Sequence, residues 1–181
     1  GVTTESTCTP GNITVKVVDL PQDVDRGEIE CGVMPCLISS FECLFSELGN
    51  SDAPVAVSED ISVGSYLYDP NAGMHKIGAG SKLCRDLPGL KRMGPNTDIY
   101  VSASYYENFP GRIFRIDRLA DKKFIKSLKG EGRSVVTRNY PVPASSLKAS
   151  MGLKEDDTKF LFGMRMGARD KNIILDCTRI K

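Results

Sequence analysis

Cys31–Asn50, CGVMPCLISSFECLFSELGN, carries the strongest helical pattern in the chain. Met34, Leu37, Ile38, Phe41, Leu44, Phe45 and Leu48 repeat at the three- and four-residue spacing of a helix with one buried face. Pro35 suits the first helical position and Gly49 the left-handed residue after the last turn, so the spacing predicts a helix over 35–48. Cys36 and Cys43 would then lie on one side of it, roughly 10 Å apart. That is beyond the Cα separation of about 7 Å that a disulfide tolerates. Each would have to bridge to another part of the chain, making the helix a stapled hub.

Working outward, the six cysteines are Cys8, Cys31, Cys36, Cys43, Cys84 and Cys177. No C-x-x-C pair occurs and His75 is the sole histidine, so a zinc site has no support. An even number of dispersed cysteines points to disulfides and an oxidising compartment. A bridge from Cys8 or Cys177 into the helix would close a long loop, worth on the order of 3–4 kcal/mol. The Asn12-Ile13-Thr14 tripeptide is a glycosylation acceptor pattern, in keeping with secretion. The chain starts at Gly1, as a processed terminus would.

With 181 residues, 40% hydrophobic and 26% charged, the composition is that of a globular protein. The net charge of +1 conceals an asymmetry. Residues 1–90 hold 5 Lys/Arg against 13 Asp/Glu, whereas residues 91–181 hold 19 against 10. This predicts an acidic cysteine-rich unit at 1–94 and a basic β-rich domain at 95–181, divided near Gly94-Pro95.

Ile13–Val18, Ile99–Tyr106, Arg112–Ile116 and Val135–Tyr140 alternate or are β-branched and read as strands. Phe160–Met166 and Ile173–Ile180 form a closing hairpin around residues 167–170. Short helices are expected within 117–129 and 145–151. Residues 69–95, with five glycines and three prolines, read as the least regular part. The fold class is therefore β-rich α+β: a cysteine-stapled N-terminal unit with one main helix, followed by an antiparallel β-sandwich or partly closed barrel.

Signals for chemistry are sparse. His75 reads as a solvated loop residue, and Gly78-Ala79-Gly80-Ser81-Lys82 lacks the spacing of a phosphate loop. Glu59-Asp60 and Glu155-Asp156-Asp157 read as acidic turns facing water. Arg112, Arg115, Arg118, Lys122, Lys126 and Lys129 form a candidate surface for an anionic partner, either membrane or glycan. No catalytic, cofactor-binding or metal-binding residue is assigned, and nucleic acid is not expected as a partner.

In layout, the six cysteines, the N-terminal helix and the strand-rich second half resemble small secreted cysteine-rich effectors of plant-pathogenic fungi of the two-domain type. That resemblance implies a non-enzymatic virulence factor acting on, or recognised by, a host protein or receptor. A second resemblance rests on Phe160-Leu161-Phe162-Gly163, Leu175-Asp176 and Ile180-Lys181. With Ile13–Val18 and the helix after it, these are similar to the domain of rhabdovirus matrix proteins. It implies a structural protein that self-associates and binds anionic membranes. A lectin-like secreted binding domain is a further alternative.

Overall fold

The computed structural model describes residues 56–76 and 78–181, together with the strand backbone of 2–9, 12–19 and 40–44. Those three segments are β1 (Val2–Thr9), β2 (Asn12–Asp19) and β3 (Ser40–Leu44), forming an antiparallel sheet in that order. The helix predicted over 35–48 is thus corrected at its centre. Ser40–Leu44 is a strand, with Phe41 opposite Val17 and Cys43 opposite Val15. The physical reason is that Phe41 and Cys43 also fit a two-residue alternation, and the β-branched strand β2 offers a partner that local helix propensity cannot outweigh. Asn12 is the first residue of β2. Cys8 and Cys43 lie on strands, and Cys31 and Cys36 fall outside the described residues.

A second sheet holds seven strands in the order β5-β6-β4-β7-β10-β9-β8. Its members are β4 (Tyr66–Pro70), β5 (Lys91–Gly94), β6 (Thr97–Ser102), β7 (Gly111–Leu119), β8 (Ser134–Arg138), β9 (Lys159–Met166) and β10 (Lys171–Arg179). It is mixed rather than antiparallel throughout, because β8 runs parallel to β9 while the other pairs are antiparallel. The Gly94-Pro95 division expected from the sequence falls inside this sheet, at the turn between β5 and β6. Among the described residues four helices accompany it: α1 (Ala72–Lys76), α2 (Gly80–Asp86), α3 (Lys122–Ser127) and α4 (Ala144–Met151). Residues 69–95, expected to be irregular, hold α1, α2 and β5. Their helices are only five and seven residues long, too short for a periodic signal to stand out from the glycines.

Alternation along the strands separates two faces. Leu67, Ile99, Val101, Phe114, Ile116, Phe160, Phe162, Met164, Ile173, Leu175 and Cys177 share one buried cluster on the inner face. The sheet curls around it. The Gly167 amide at the β9–β10 turn donates to the Met93 carbonyl on β5 (2.8 Å), closing an edge strand over the far side. Phe114 meets Phe160 and Phe162 edge-on, with centroids 5.0 and 4.7 Å apart.

The outer face carries two separate helical layers. Tyr68, Tyr100 and Ile113 pack with Met74, Ala79 and Leu83 of α1, α2 and the residues between them. At the other end, Leu161 and Ile174 pack with Leu128, Leu147 and Leu153 around α3 and α4. Asp121 caps α3 by accepting from the Phe124 amide (2.7 Å), and α4 ends on Gly152 at φ +64°.

The three-disulfide framework is also corrected. Cys84 is a half-buried free thiol and Cys177 a buried one, lodged in the inner apolar cluster. With two of the six unpaired, the staples cannot be as expected. Cys177 packs as a small hydrophobe, which is why burial and not oxidation explains it.

Candidate functional site

Asp69 organises the charged part of the molecule. It lies on β4, two residues beyond inner-facing Leu67, and is 2% exposed. A buried carboxylate must be compensated, and three cations surround this one. Arg112, opposite Asp69 in the β4–β7 register, donates from Nε (3.2 Å) and Nη2 (2.5 Å) to Oδ2. Arg138, at the end of β8, donates from Nη2 to Oδ1 (3.2 Å) and more weakly to Oδ2 (3.5 Å). His75 on α1 sets Nε2 3.8 Å from Oδ1. Burial works to raise the Asp69 pKa, but His75, Arg138 and Arg112 together hold it below the usual carboxylate range.

His75 links this cluster to a second one on the outer face. Its Nδ1 is 3.8 Å from Asp98 Oδ2, and Asp98 on β6 is paired with Arg92 of β5. The Tyr100 hydroxyl donates to Asp98 at 3.5 Å. The two carboxylates, Asp69 first and Asp98 second, raise the His75 pKa to about 9, so the ring is an imidazolium at neutral pH. In return His75, followed by Arg92, holds Asp98 at about 2 against the opposing effect of burial. At 3.8 Å both contacts are ion pairs longer than hydrogen bonds, and His75 Nε2 is buried without an acceptor. Arg92 Nε and Asn71 Nδ2 are likewise buried donors without partners.

His75 and Arg92 border a cavity of about 220 Å³, lined on its polar side by these two with Asp98 and Tyr100. Pro70, Met74, Leu83 and residues 78–81 complete the wall, so the glycine-rich stretch that lacks phosphate-loop spacing forms one side of the cavity and starts α2. Gly80 is required there: a Cβ would overlap the Tyr100 hydroxyl. Cys84 lies nearby, but burial raises its thiol to about 11, so it is no nucleophile at neutral pH.

The candidate anionic-partner surface is dispersed. Arg112 joins Asp69 and also stacks over the Phe114 and Phe160 rings, at 5.6 and 5.9 Å. Arg115 faces Asp117 (3.5 Å), and Arg118 lies 4.4 Å from the centre of the Phe124 ring. Lys122, Lys126 and Lys129 are exposed on and just after α3. Of the six, Arg112 alone enters the site. Asp69, Asp98 and Arg138 were not singled out from the sequence, and His75, expected to be a solvated loop residue, is corrected to a half-buried member of α1 held between two carboxylates. Their one local signal is alternation, since Arg112 and Arg138 each fall two residues from an inner-facing apolar side chain, Phe114 and Val136.

Residues 66–110, less than half of the chain, match a family described as a ferredoxin-like domain. Among solved structures, the fold matches the crystal structure of a "putative methyltransferase" from Porphyromonas gingivalis W83, with a TM-score of 0.66 and 23% identity. The match covers 84% of this chain and 37% of that one, so the chain spans little more than a third of the length of the protein it resembles. No curated protein sequence matches the chain. These findings, with free Cys84 and Cys177, overturn the fungal-effector reading and the non-enzymatic assignment that came with it. The matrix-like and lectin-like alternatives fall with it. A six-cysteine layout is a property of spacing alone, and here it coincided with cysteines of which at least two only fill space.

Proposed function

We propose that this chain is the acceptor-binding portion of a methyltransferase, holding a small polar group of the substrate in the cavity between His75, Arg92, Asp98 and Tyr100. The observation that carries the reading is the fold likeness over most of this chain to about a third of a larger protein bearing that activity in its description.

The described residues do not fit a nucleoside methyl donor such as S-adenosylmethionine. Open α/β sites hold such groups at a glycine-rich turn between a strand and a helix of a parallel sheet. The one parallel strand pair among the described residues, β8 and β9, is joined through Asn139-Tyr140-Pro141-Val142-Pro143 before α4, a turn without glycine. The cavity at His75, about 220 Å³, is itself below the roughly 300–1,000 Å³ typical of sites that enclose a drug-sized ligand, whereas a second cavity, about 490 Å³, lies against α4 at Ala144, Ser145 and Lys148. The chain's own residues would do the following. Imidazolium His75 and Arg92 present N–H donors, Asp98 fixes both, and Tyr100 closes the floor.

The test is methyl transfer from labelled S-adenosylmethionine by the full-length gene product, with fractionated cellular small molecules and RNA as acceptors. Labelled product is expected. Asp98→Asn should raise the KM for the acceptor about tenfold while leaving donor affinity unchanged. No transfer to any fraction, or an Asp98→Asn effect confined to donor binding, would overturn the reading.

A further inference from the structure

We infer that Arg112 and Arg138, mounted on the two oxygens of Asp69, form a clamp for a phosphate-class dianion at the open end of the curled sheet. The inference stands on the geometry of that cluster and holds whether or not the chain serves a methyltransferase.

The placement follows from strand alternation. Leu67, Phe114 and Val136 face the inner cluster on three different strands, and Asp69, Arg112 and Arg138 each lie two residues away on the same face. The three therefore converge where the apolar interior ends. The cavity of the outer face is a different place: Pro70, Met74 and Tyr100 line it, and neither arginine does.

Asp69 orients the two guanidinium groups without using them up. Arg112 commits Nε and Nη2 to Oδ2, leaving its Nη1 protons, and the Phe114 and Phe160 rings hold its plane. Arg138 gives Nη2 to Asp69 and Nη1 to the Thr137 carbonyl (3.4 Å), leaving Nε–H. Asp69 is 2% exposed, whereas the arginines are 37% and 38% exposed, so the carboxylate is behind and the free N–H groups face out. Asn139, directly after Arg138, has φ +48° and donates to Thr97 Oγ1 (3.4 Å), which fixes the end of β8 beside β6.

The charge count selects the ligand class. Around Asp69, the two guanidinium groups of Arg112 and Arg138 and the His75 imidazolium carry three positive charges against one, an excess of two. A planar carboxylate is satisfied by one guanidinium fork. A tetrahedral dianion, with three terminal oxygens, takes donors from two forks at once and cancels the excess.

The experiment is titration of the 181-residue chain with inorganic phosphate, and separately with acetate. Calorimetry and the arginine side-chain NMR signals are followed, with no methyl donor present. Saturable phosphate binding that shifts the Arg112 and Arg138 signals is expected, with acetate at least tenfold weaker. Arg138→Gln should weaken phosphate at least tenfold and Arg138→Lys by an intermediate factor, because charge remains and the fork is lost. Arg85→Gln, an exposed arginine on α2 removing the same charge, should change nothing. Thermal unfolding of each variant verifies the fold. Absence of saturable binding, acetate binding as tightly as phosphate, or equal loss in Arg85→Gln and Arg138→Gln would overturn the clamp. A chain that binds phosphate yet transfers no methyl group would leave the clamp standing and remove only the methyltransferase reading.

Discussion

The two helical layers on the outer face are alike in size and opposite in chemistry. Around α3 and α4 the contacts are apolar, one helix is capped by Asp121, the other ends on left-handed Gly152, and Gly163 on β9 leaves room for the Tyr140 ring. Around α1 and α2, Asn71, His75 and Arg92 carry three of the four orphaned buried side-chain donors among the described residues. Among the described residues, orphaned donors are absent from the apolar α3–α4 cluster and present where His75 and Arg92 face a cavity. Unsatisfied buried donors cost free energy, so their concentration on one side marks the region kept for binding.

The contrast can be broken at its stable end first. Leu161→Ala, at a fully buried position beneath α3 and α4, should cost about 3 kcal/mol in denaturant unfolding. The His75 titration should stay in place, and a shift in it would mean that the two layers are not independent. Asp69→Asn should cost less, about 2 kcal/mol, because the half-exposed arginines can turn to water. It should also bring the His75 midpoint, read by NMR, down from about 9 towards its ordinary 6.5.

The pH dependence carries the same sign. A histidine raised in the folded state stabilises it fully below about 6.5 and loses that contribution as pH rises through about 9. Wild type should therefore lose stability across that window, and Asp69→Asn should show a smaller loss, completed at lower pH. A flat profile in wild type would remove His75 from the ion-paired cluster. The smallest effect belongs to Asp121→Ala, which deletes the α3 cap and should cost about 1 kcal/mol without touching the charged cluster.

How far each region was legible follows from the range of its signals. The β9–β10 hairpin could be read because eight paired residues alternate around a turn with positive φ at Gly167 and Asp170. The α4 end could be read from Gly152. Cys31–Asn50 misled because its apolar residues satisfy two periods over a few turns, and pairing with β2 decides between them at Ser40–Leu44. The charged site was not legible. Arg112 lies 43 residues from Asp69 and Arg138 lies 69 residues from it, so nothing in the local sequence marks them as one cluster.

By itself the sequence determined the β-rich α+β class, the closing hairpin and the Gly152 end of α4, since each depends on backbone preferences and apolar spacing within a few residues. The tertiary structure alone decided that Ser40–Leu44 is a strand, that Cys84 and Cys177 are free thiols, and that His75 lies between two carboxylates. Those outcomes depend on which strands become neighbours in the curled sheet. Strand order sets which charges share a buried space, and burial then sets their protonation and what they can bind.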